Sequence, residues 1–490
     1  MSLAERTVTS ITWKVVANAA SMVAQFGRAI ILARWLPVDI FGIYAWAFSV
    51  TKLSVVLADF GMSGAFVHRV PETEDEDRAA AVQFSFSVGF TLIWAALLVA
   101  GTFLFTDSST HLRTALLVLI LTTALLQFSS TPSLILLRRV QQRRKAVIQL
   151  LSTVISTFVM LWLAWRGVTL WALLASDCVS VVVHLAVLYG WRPVWQPRLA
   201  WDPEVMHYFL SFGSRNFLNV ILYQALDRID DIWVGLYLGE TAIGFYSKAY
   251  SFATYPRNIL AVPFNWVIGG AYAELKHDRE RLSRVFRVAN SLLIRSGFFL
   301  AGLLALIAPE FIRMLLGEKW LPMLDAFRLM LVFTLFDPIK ITIASVISLA
   351  GGKPERVLGA RMAQLVLMLG GLFILGPSLG IAGVALAVDG MLVLGIGILL
   401  WQARSFVDYS LTGLFGLPTA ALILGGALSA YVSTQIGIPF SDWQMVLLKG
   451  GIFSIAYGIV LLLGEHHRFV ESARHIRNLL AASDSSKGAA

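Results

Sequence analysis

Five polar residues recur at helical spacing near the start of the chain: Lys14, Asn18, Ser21, Gln25 and Arg28, separated by 4, 3, 4 and 3 positions. On a helix they share one stripe, and the residues between them are largely apolar. Farther on the arrangement returns as Arg215, Asn219, Tyr223, Asp227 and Asp230, with Arg228 and Asp231 beside it. An ionisable group inside an apolar helix costs several kcal/mol, of order 3 or more, unless it is paired or wet. Such groups therefore line a water-filled path for a polar ligand, exchange a cation or proton with it, or lie in a packed polar seam. Spacing leaves these readings open. Other ionisable residues are stranded in the same way: Lys52 with Asp59 on its face, Lys248, Arg257 after Pro256, Asp177 with His184, Arg295, Asp337 and Lys340 around Pro338, and Asp389. Together they point to a large hydrated cavity holding both signs of charge, with cations prominent. The candidate ligand-binding residues are Asn18, Gln25, Arg28, Lys52, Lys248 and Arg257. The candidate coupling or gating residues are Asp177, Asp227, Asp230, Asp337 and Asp389.

The elements that must hold these residues are set by composition. Hydrophobic residues make up 57% of the 490, and charged residues only 14%, where a soluble domain has roughly 25%. The expected fold is an all-α polytopic membrane protein. About fourteen apolar runs reach the roughly 20 residues that a span requires: 11–35, 40–62, 81–105, 112–137, 146–166, 168–190, 207–238, 241–271, 286–316, 322–350, 356–377, 380–402, 412–434 and 443–464. Pro338 should kink its helix and free a backbone carbonyl. The single cysteine, Cys178, rules out an intramolecular disulfide. The end of the chain, AASDSSKGAA, has the composition of a disordered segment.

Lysine and arginine fix the expected orientation. One set of connections holds Arg138, Arg139, Arg143, Arg144 and Lys145, then Lys276 to Arg287, then Lys353, Arg356 and Arg361, and the tail adds Arg468, Arg474 and Arg477. The opposite set has little beyond Arg34, Arg113, Arg166 and Lys319. The basic side is cytoplasmic by the positive-inside rule, which places both termini inside.

The stretch LPVDIFGIYAWAFS from Leu36 aligns without a gap on LGETAIGFYSKAYS from Leu238, matching Gly42 to Gly244 and Tyr44 to Tyr246. Each copy links the first and second helix of a set of six, so the expected architecture is two pseudo-symmetric six-helix bundles in parallel repeat. Asp177 in LASD and Asp389 in LAVD form a weaker echo. The expected divisions are residues 1–200 and 201–405 for the bundles, 406–465 for two extra C-terminal helices, and 466–490 for a cytoplasmic tail. The repeated Gly and Tyr are expected to serve close packing at the turn.

LDRIDDIWVGLYLGETAIGFYSKAYSFATYP resembles the central signature of bacterial polysaccharide-biosynthesis exporters, through Asp230, Asp231, Gly235, Leu238, Gly239, Gly244, Tyr246, Ala249, Tyr250 and Pro256. ILARWLPVDIFGIYAWAFS, LLGEKWLPMLDAFRLM and GGKPER resemble further motifs of the same proteins, so the likeness covers about residues 8–405. These are the Wzx-like lipid-linked oligosaccharide flippases of the multidrug/oligosaccharidyl-lipid/polysaccharide exporter superfamily. The resemblance implies transfer of an undecaprenyl-diphosphate-linked sugar repeat unit from the inner to the outer leaflet of the bacterial plasma membrane, by alternating access. It implies a lipid-linked oligosaccharide and membrane lipids as partners, and the polymerase and chain-length regulator of the same pathway as associated proteins. No nucleic-acid partner, bound cofactor or metal is expected beyond a possible coupling cation, H+ or Na+. Arginine and lysine suit a diphosphate headgroup, whose charge they can neutralise as water is removed.

Two alternatives remain. A multidrug or metabolite exporter of the same superfamily would favour acids toward organic cations, against the weight of Arg28, Lys52 and Lys248. A membrane-embedded glycan polymerase or ligase would need a long outer loop, and no connection on that side is long enough. No phosphate-loop, zinc or nucleophile-elbow spacing occurs.

Overall fold

A computed structural model describes the backbone of residues 3–68, 76–105, 109–139, 141–191, 193–435 and 440–487. Within these, the side chains of residues 3–16, 105, 142, 259–263, 265–267 and 466–487 lie outside the description, Lys14 and the tail arginines among them. The described elements are helical, with no strand among the described residues. The chain runs through α1 (Leu3–Trp35), α2 (Val38–Ser54), the short α3 (Val56–Asp59) and α4 (Met62–His68), α5 (Glu76–Phe105), α6 (Thr110–Phe128), α7 (Ser130–Arg138), α8 (Gln142–Trp165) and α9 (Thr169–Leu185). It continues through α10 (Pro203–Tyr237), α11 (Glu240–Glu274), α12 (Arg279–Leu315), α13 (Leu324–Ser345), α14 (Pro354–Ala403), α15 (Leu417–Gln435) and α16 (Asp442–Lys487).

Local chemistry sets many of the boundaries. Asp202 caps α10 by accepting from the amides of Glu204 at 3.0 Å and Val205 at 3.3 Å, with Pro203 in the first turn. Asp278 caps α12 through the Arg281 amide at 3.0 Å. Gly239 turns the chain between α10 and α11 at φ 89°, a conformation that side chains with a Cβ resist. Gly380 interrupts α14 with φ 59° and ψ −140°, between the two apolar runs that the sequence separates there. Pro338 lies within α13. Opposite it, Gly297 of α12 brings its bare backbone against the Thr334 carbonyl, where a Cβ would come within 2.7 Å. The last helix is kinked at Glu465 and runs on to Lys487. Composition alone pointed to disorder in this stretch, but its alanines favour helix. Residues 488–490 lie outside the description.

Ten helical stretches among the described residues are long and apolar enough to cross a membrane. Their outer faces are apolar. Leu97 and Leu104 on α5, and Phe158 and Trp162 on α8, are all exposed. Exposed tryptophans such as Trp165, Trp191, Trp401 and Trp443 sit near helix ends, as in an interfacial aromatic belt. This is a multi-pass membrane protein.

The chain forms two compact units. The first comprises Met1–Ser251 with Leu358–Leu394, and the second Phe252–Val357 with Gly395–Ala490. Within the first, the doubled stretch of sequence becomes a reciprocal contact. A Cβ on Gly42 would run into the carbonyl of Glu240, and one on Gly244 into the carbonyl of Val38. In the gapless alignment Val38 corresponds to Glu240 and Gly42 to Gly244, so the starts of α2 and α11 cross with each glycine seated on the other copy's backbone. Small residues four apart allow this kind of approach between membrane helices.

Substituting alanine at Gly42 or Gly244 should therefore force the two backbones apart, at a cost of about 1–3 kcal/mol. Gly89→Ala, at a site with nothing within 4 Å of the added Cβ, should be neutral or slightly stabilising. Thermal unfolding of the purified variants in detergent checks the contrast.

Candidate functional site

In the first unit, α1, α2, α9, α10 and α11 bring the charged residues into one polar region. Beginning at α1, the predicted stripe faces α8. Gln149 donates to Asn18 at 3.0 Å, Thr153 to Ser21 at 3.3 Å, and Arg28 to Ser156 at 2.9 Å. The partners on α8 are themselves spaced 4 and 3 apart, so two polar stripes interlock along a seam. Gln25 lies on the same stripe of α1 and is exposed.

Beyond the seam, Arg28 lies within electrostatic reach of Asp177 on α9 and of Lys248 on α11, and Lys52 is also within reach of Asp177. Asp177 accepts a hydrogen bond from the Tyr44 hydroxyl at 2.9 Å. Lys52 Nζ stands 5.2 Å from the centre of the Phe48 ring, and the Arg228 guanidinium 5.3 Å from the same ring. Lys248 Nζ is 3.8 Å from the Phe41 ring centre. Aromatic faces offer these cations partial compensation for lost water.

The acids of α10 are held separately. Asp227 pairs with Arg228 at 3.1 Å and accepts from Tyr250 at 3.1 Å. Asp230 is buried and accepts from Tyr246 at 2.6 Å, while its other oxygen has no hydrogen-bond partner among the described residues. Asp231, also buried, accepts from Ser49 at 2.8 Å and lies 3.5 Å from Arg228. The carboxylates of Asp227 and Asp230 are thus turned to Arg228 and the tyrosines. Asp389, on the second half of α14 in this unit, is buried, and its Oδ1 has no hydrogen-bond partner among the described residues.

In the second unit Asp337 lies between two cations. Arg257 reaches it at 3.0 Å and Lys340 at 2.6 Å. Asp337 itself is buried. A separate set of ion pairs fastens α16 to α12: Arg313 to Asp442 at 2.8 Å, Lys449 to Glu310 at 2.8 Å, and Arg295 Nε to Glu465 at 2.9 Å.

Several of these participants were not singled out from the sequence. The repeat marks Tyr44 and Tyr246 as packing residues, yet each gives its hydroxyl to a carboxylate, half-buried Asp177 and buried Asp230. Their matched place in the repeat was the available signal. Arg361 was counted among loop charges, whereas it donates to Asn219 and stacks 5.3 Å from the Tyr223 ring centre, both on the polar face of α10. The α12–α16 ion pairs left no periodic trace, because their members lie far apart in the chain.

The comparisons with known proteins can be set beside this geometry. Residues 31–325, well over half of the chain, match the profile of the family described as "Polysaccharide biosynthesis protein". The chain belongs to that family. It is 26% identical over 329 residues to the succinoglycan biosynthesis transport protein ExoT of Rhizobium meliloti (strain 1021), an alignment covering 64% of each chain, a little under two thirds. It is 21% identical over 353 residues to the lipopolysaccharide biosynthesis protein WzxC of Escherichia coli (strain K12), covering 71% of this chain and 70% of that one. Among solved structures, the lipid II flippase MurJ in an inward closed conformation superposes with a TM-score of 0.75 at 15% identity, over 94% of this chain and 100% of that one. An inward-facing multidrug resistance transporter of the MATE family, in the MOP superfamily, gives a TM-score of 0.60 at 16% identity, over 80% and 97%. The fold of this protein is thus that of the MurJ and MATE structures.

Asp337→Ala should remove the buried carboxylate that Arg257 and Lys340 share, and destabilise the protein by about 3 kcal/mol or more. Adding Lys340→Met should recover part of that loss. Unfolding temperatures of the single and double variants test the coupling, and additive losses would count against it.

Proposed function

We propose that this protein is a transporter which moves an undecaprenyl-diphosphate-linked oligosaccharide repeat unit from the cytoplasmic to the outer leaflet of the bacterial inner membrane, by alternating access. The unit supplies a polysaccharide: exopolysaccharide, O-antigen or capsule. The observation that carries this reading is the polar region of the first unit. There Arg28, Lys52 and Lys248 come from three helices within a membrane protein of the polysaccharide biosynthesis family. A diphosphate with sugars attached cannot cross hydrocarbon unaided, and fixed cations can stand in for its water and counterions. The names of the relatives, a succinoglycan transport protein and a lipopolysaccharide biosynthesis protein, support the same substrate class. So does a shared fold with a lipid II flippase.

The topology that goes with this reading has fourteen crossings. The ten apolar stretches are joined by α1, α10 and α11, whose polar stripes would face the pathway, and α14 counts twice because Gly380 breaks it. Two six-helix sets in parallel repeat would precede the last two helices, with both termini cytoplasmic. The acids Asp177, Asp227, Asp230, Asp337 and Asp389 would bind the coupling cation, H+ or Na+, or hold the basic residues until substrate arrives. The polymerase and chain-length regulator of the pathway are the expected neighbours. The role is transport and not catalysis. A drug exporter is the second reading, since the MATE fold is shared, but a site rich in arginine and lysine is poorly matched to organic cations.

Deleting the gene should make lipid-linked repeat units accumulate on the cytoplasmic leaflet, as measured by leaflet-specific labelling. A normal outer-leaflet signal, with no paralogue active, would overturn the proposal. Arg28→Ala should abolish polymer export while the protein remains folded and inserted, and unchanged polymer output would remove Arg28 from the site.

A further inference from the structure

A second polar space lies in the first unit, away from the tyrosine-held carboxylates. It is a cavity of about 420 Å³ between α7, α8 and α9, within the range of small-molecule sites, about 300–1,000 Å³. Lys145, Gln149, Ser152, Ser133, Ser180 and His184 line it, against an apolar wall formed by Leu137 and Ile148. Lys145 belongs to the basic run between α7 and α8, whose other members are committed elsewhere. Arg139 pairs with Glu76 at 2.6 Å, Arg144 donates to the Val187 carbonyl at 2.6 Å and to that of Trp191, and Arg138 stacks 5.4 Å from the Phe66 ring centre. Among the described residues no carboxylate lies within ion-pair distance of Lys145. A half-buried ammonium gains from a counter-charge, and the cavity beside it is open to receive one.

The hydroxyls of Ser133, Ser152 and Ser180 around it can donate. His184 Nδ1 lies 2.7 Å from the Ser180 carbonyl, which can only accept, so Nδ1 carries the proton and Nε2 donates only when the ring takes up a second proton. Lys145 is in the first turn of α8, whose N-cap residue Gln141 makes no side-chain capping bond. The positive end of that 24-residue helix therefore adds to the ammonium's field at the cavity. Lysine, hydroxyls and a helix N-terminus beside an aliphatic wall match the chemistry of a phosphate ester attached to an apolar body.

We infer that the α7–α8–α9 cavity is an anion site which holds the phosphate group of an anionic lipid, with Lys145 as the principal contact. The inference does not rest on the transport reading: Lys145, Ser180 and His184 are not among the residues assigned to the transported substrate, although Gln149 on the cavity wall also donates to Asn18.

The test uses the full-length protein in detergent. In one arm, phosphatidylglycerol or phosphatidylcholine is added and retained lipid is read by native mass spectrometry. Wild type should retain phosphatidylglycerol in preference. Lys145→Gln should weaken that binding about tenfold, the scale of one charge-assisted hydrogen bond, while Lys145→Arg keeps it and Lys353→Gln leaves it unchanged. In the other arm inorganic phosphate is titrated and the unfolding temperature followed. A phosphate-dependent rise that Lys145→Gln abolishes, without lipid preference, would keep the anion site and assign it to a soluble phosphate ester, overturning the lipid assignment. Absence of both effects, or equal binding by wild type and Lys145→Gln, would overturn the inference. Should Lys145→Gln not yield monodisperse protein, the double variant Ser180→Ala/His184→Gln replaces it under the same criteria.

Discussion

A charge withdrawn from water into the hydrocarbon region must be given another partner, and that requirement shapes the interior of this protein. The partners are of several kinds. In the first unit, carboxylates take hydroxyl hydrogen bonds, Asp177 from Tyr44, Asp230 from Tyr246, Asp227 from Tyr250 and Asp231 from Ser49, and the last two also pair with Arg228. The lysines Lys52 and Lys248 lie on aromatic faces. In the second unit the solution is direct pairing, with Asp337 between Arg257 and Lys340. Hydroxyls and rings compensate a charge only in part. A full ion pair is already satisfied.

The geometry that permits this in the first unit rests on two glycines. Because Gly42 and Gly244 have no Cβ, the starts of α2 and α11 meet backbone to backbone. Two residues farther on, Tyr44 and Tyr246 extend from those helices to carboxylates on α9 and α10. The repeated motif is thus a packing device and a carboxylate clasp in one. The two copies are not equivalent in their surroundings. Asp177 lies within reach of Arg28 and Lys52, whereas Asp230 is beside Asp231 and Asp227. The same tyrosine therefore serves a cationic setting in one copy and an acidic one in the other.

Membrane class, helix positions and the polar stripes were legible in the sequence for a common reason: each is a local property of consecutive residues. Apolar runs long enough to span, breaks at Gly239 and Gly380, and stripes at spacings of 3 and 4 all follow from the geometry of a single helix. The alignment of Leu36 with Leu238 likewise marked two turns as sites of close packing, but not that the two pack on each other. What each stripe faces was not legible. Spacing places Arg28 on the stripe of α1, and only the structure turns it to Ser156 on α8. Arg361 resembled a loop charge because Lys353 and Arg356 stand close to it in sequence, although a single additional turn of helix carries it to Asn219 and Tyr223.

By itself, then, the sequence determined that this chain is a bundle of membrane helices with costly charges at defined depths, and that two of its turns are copies of each other. Tertiary structure alone decided the partners: which acid each tyrosine holds, which ring each lysine covers, and that α16 is fastened to α12 through Arg313, Glu310 and Arg295. The physical reason is that a helix fixes the direction of a side chain relative to its own axis but says nothing about which helix stands opposite. Burying a charge requires that a partner exist somewhere in the chain. Only packing brings residues 150 or more positions apart, such as Arg295 and Glu465 with a separation of 170, to within hydrogen-bond distance.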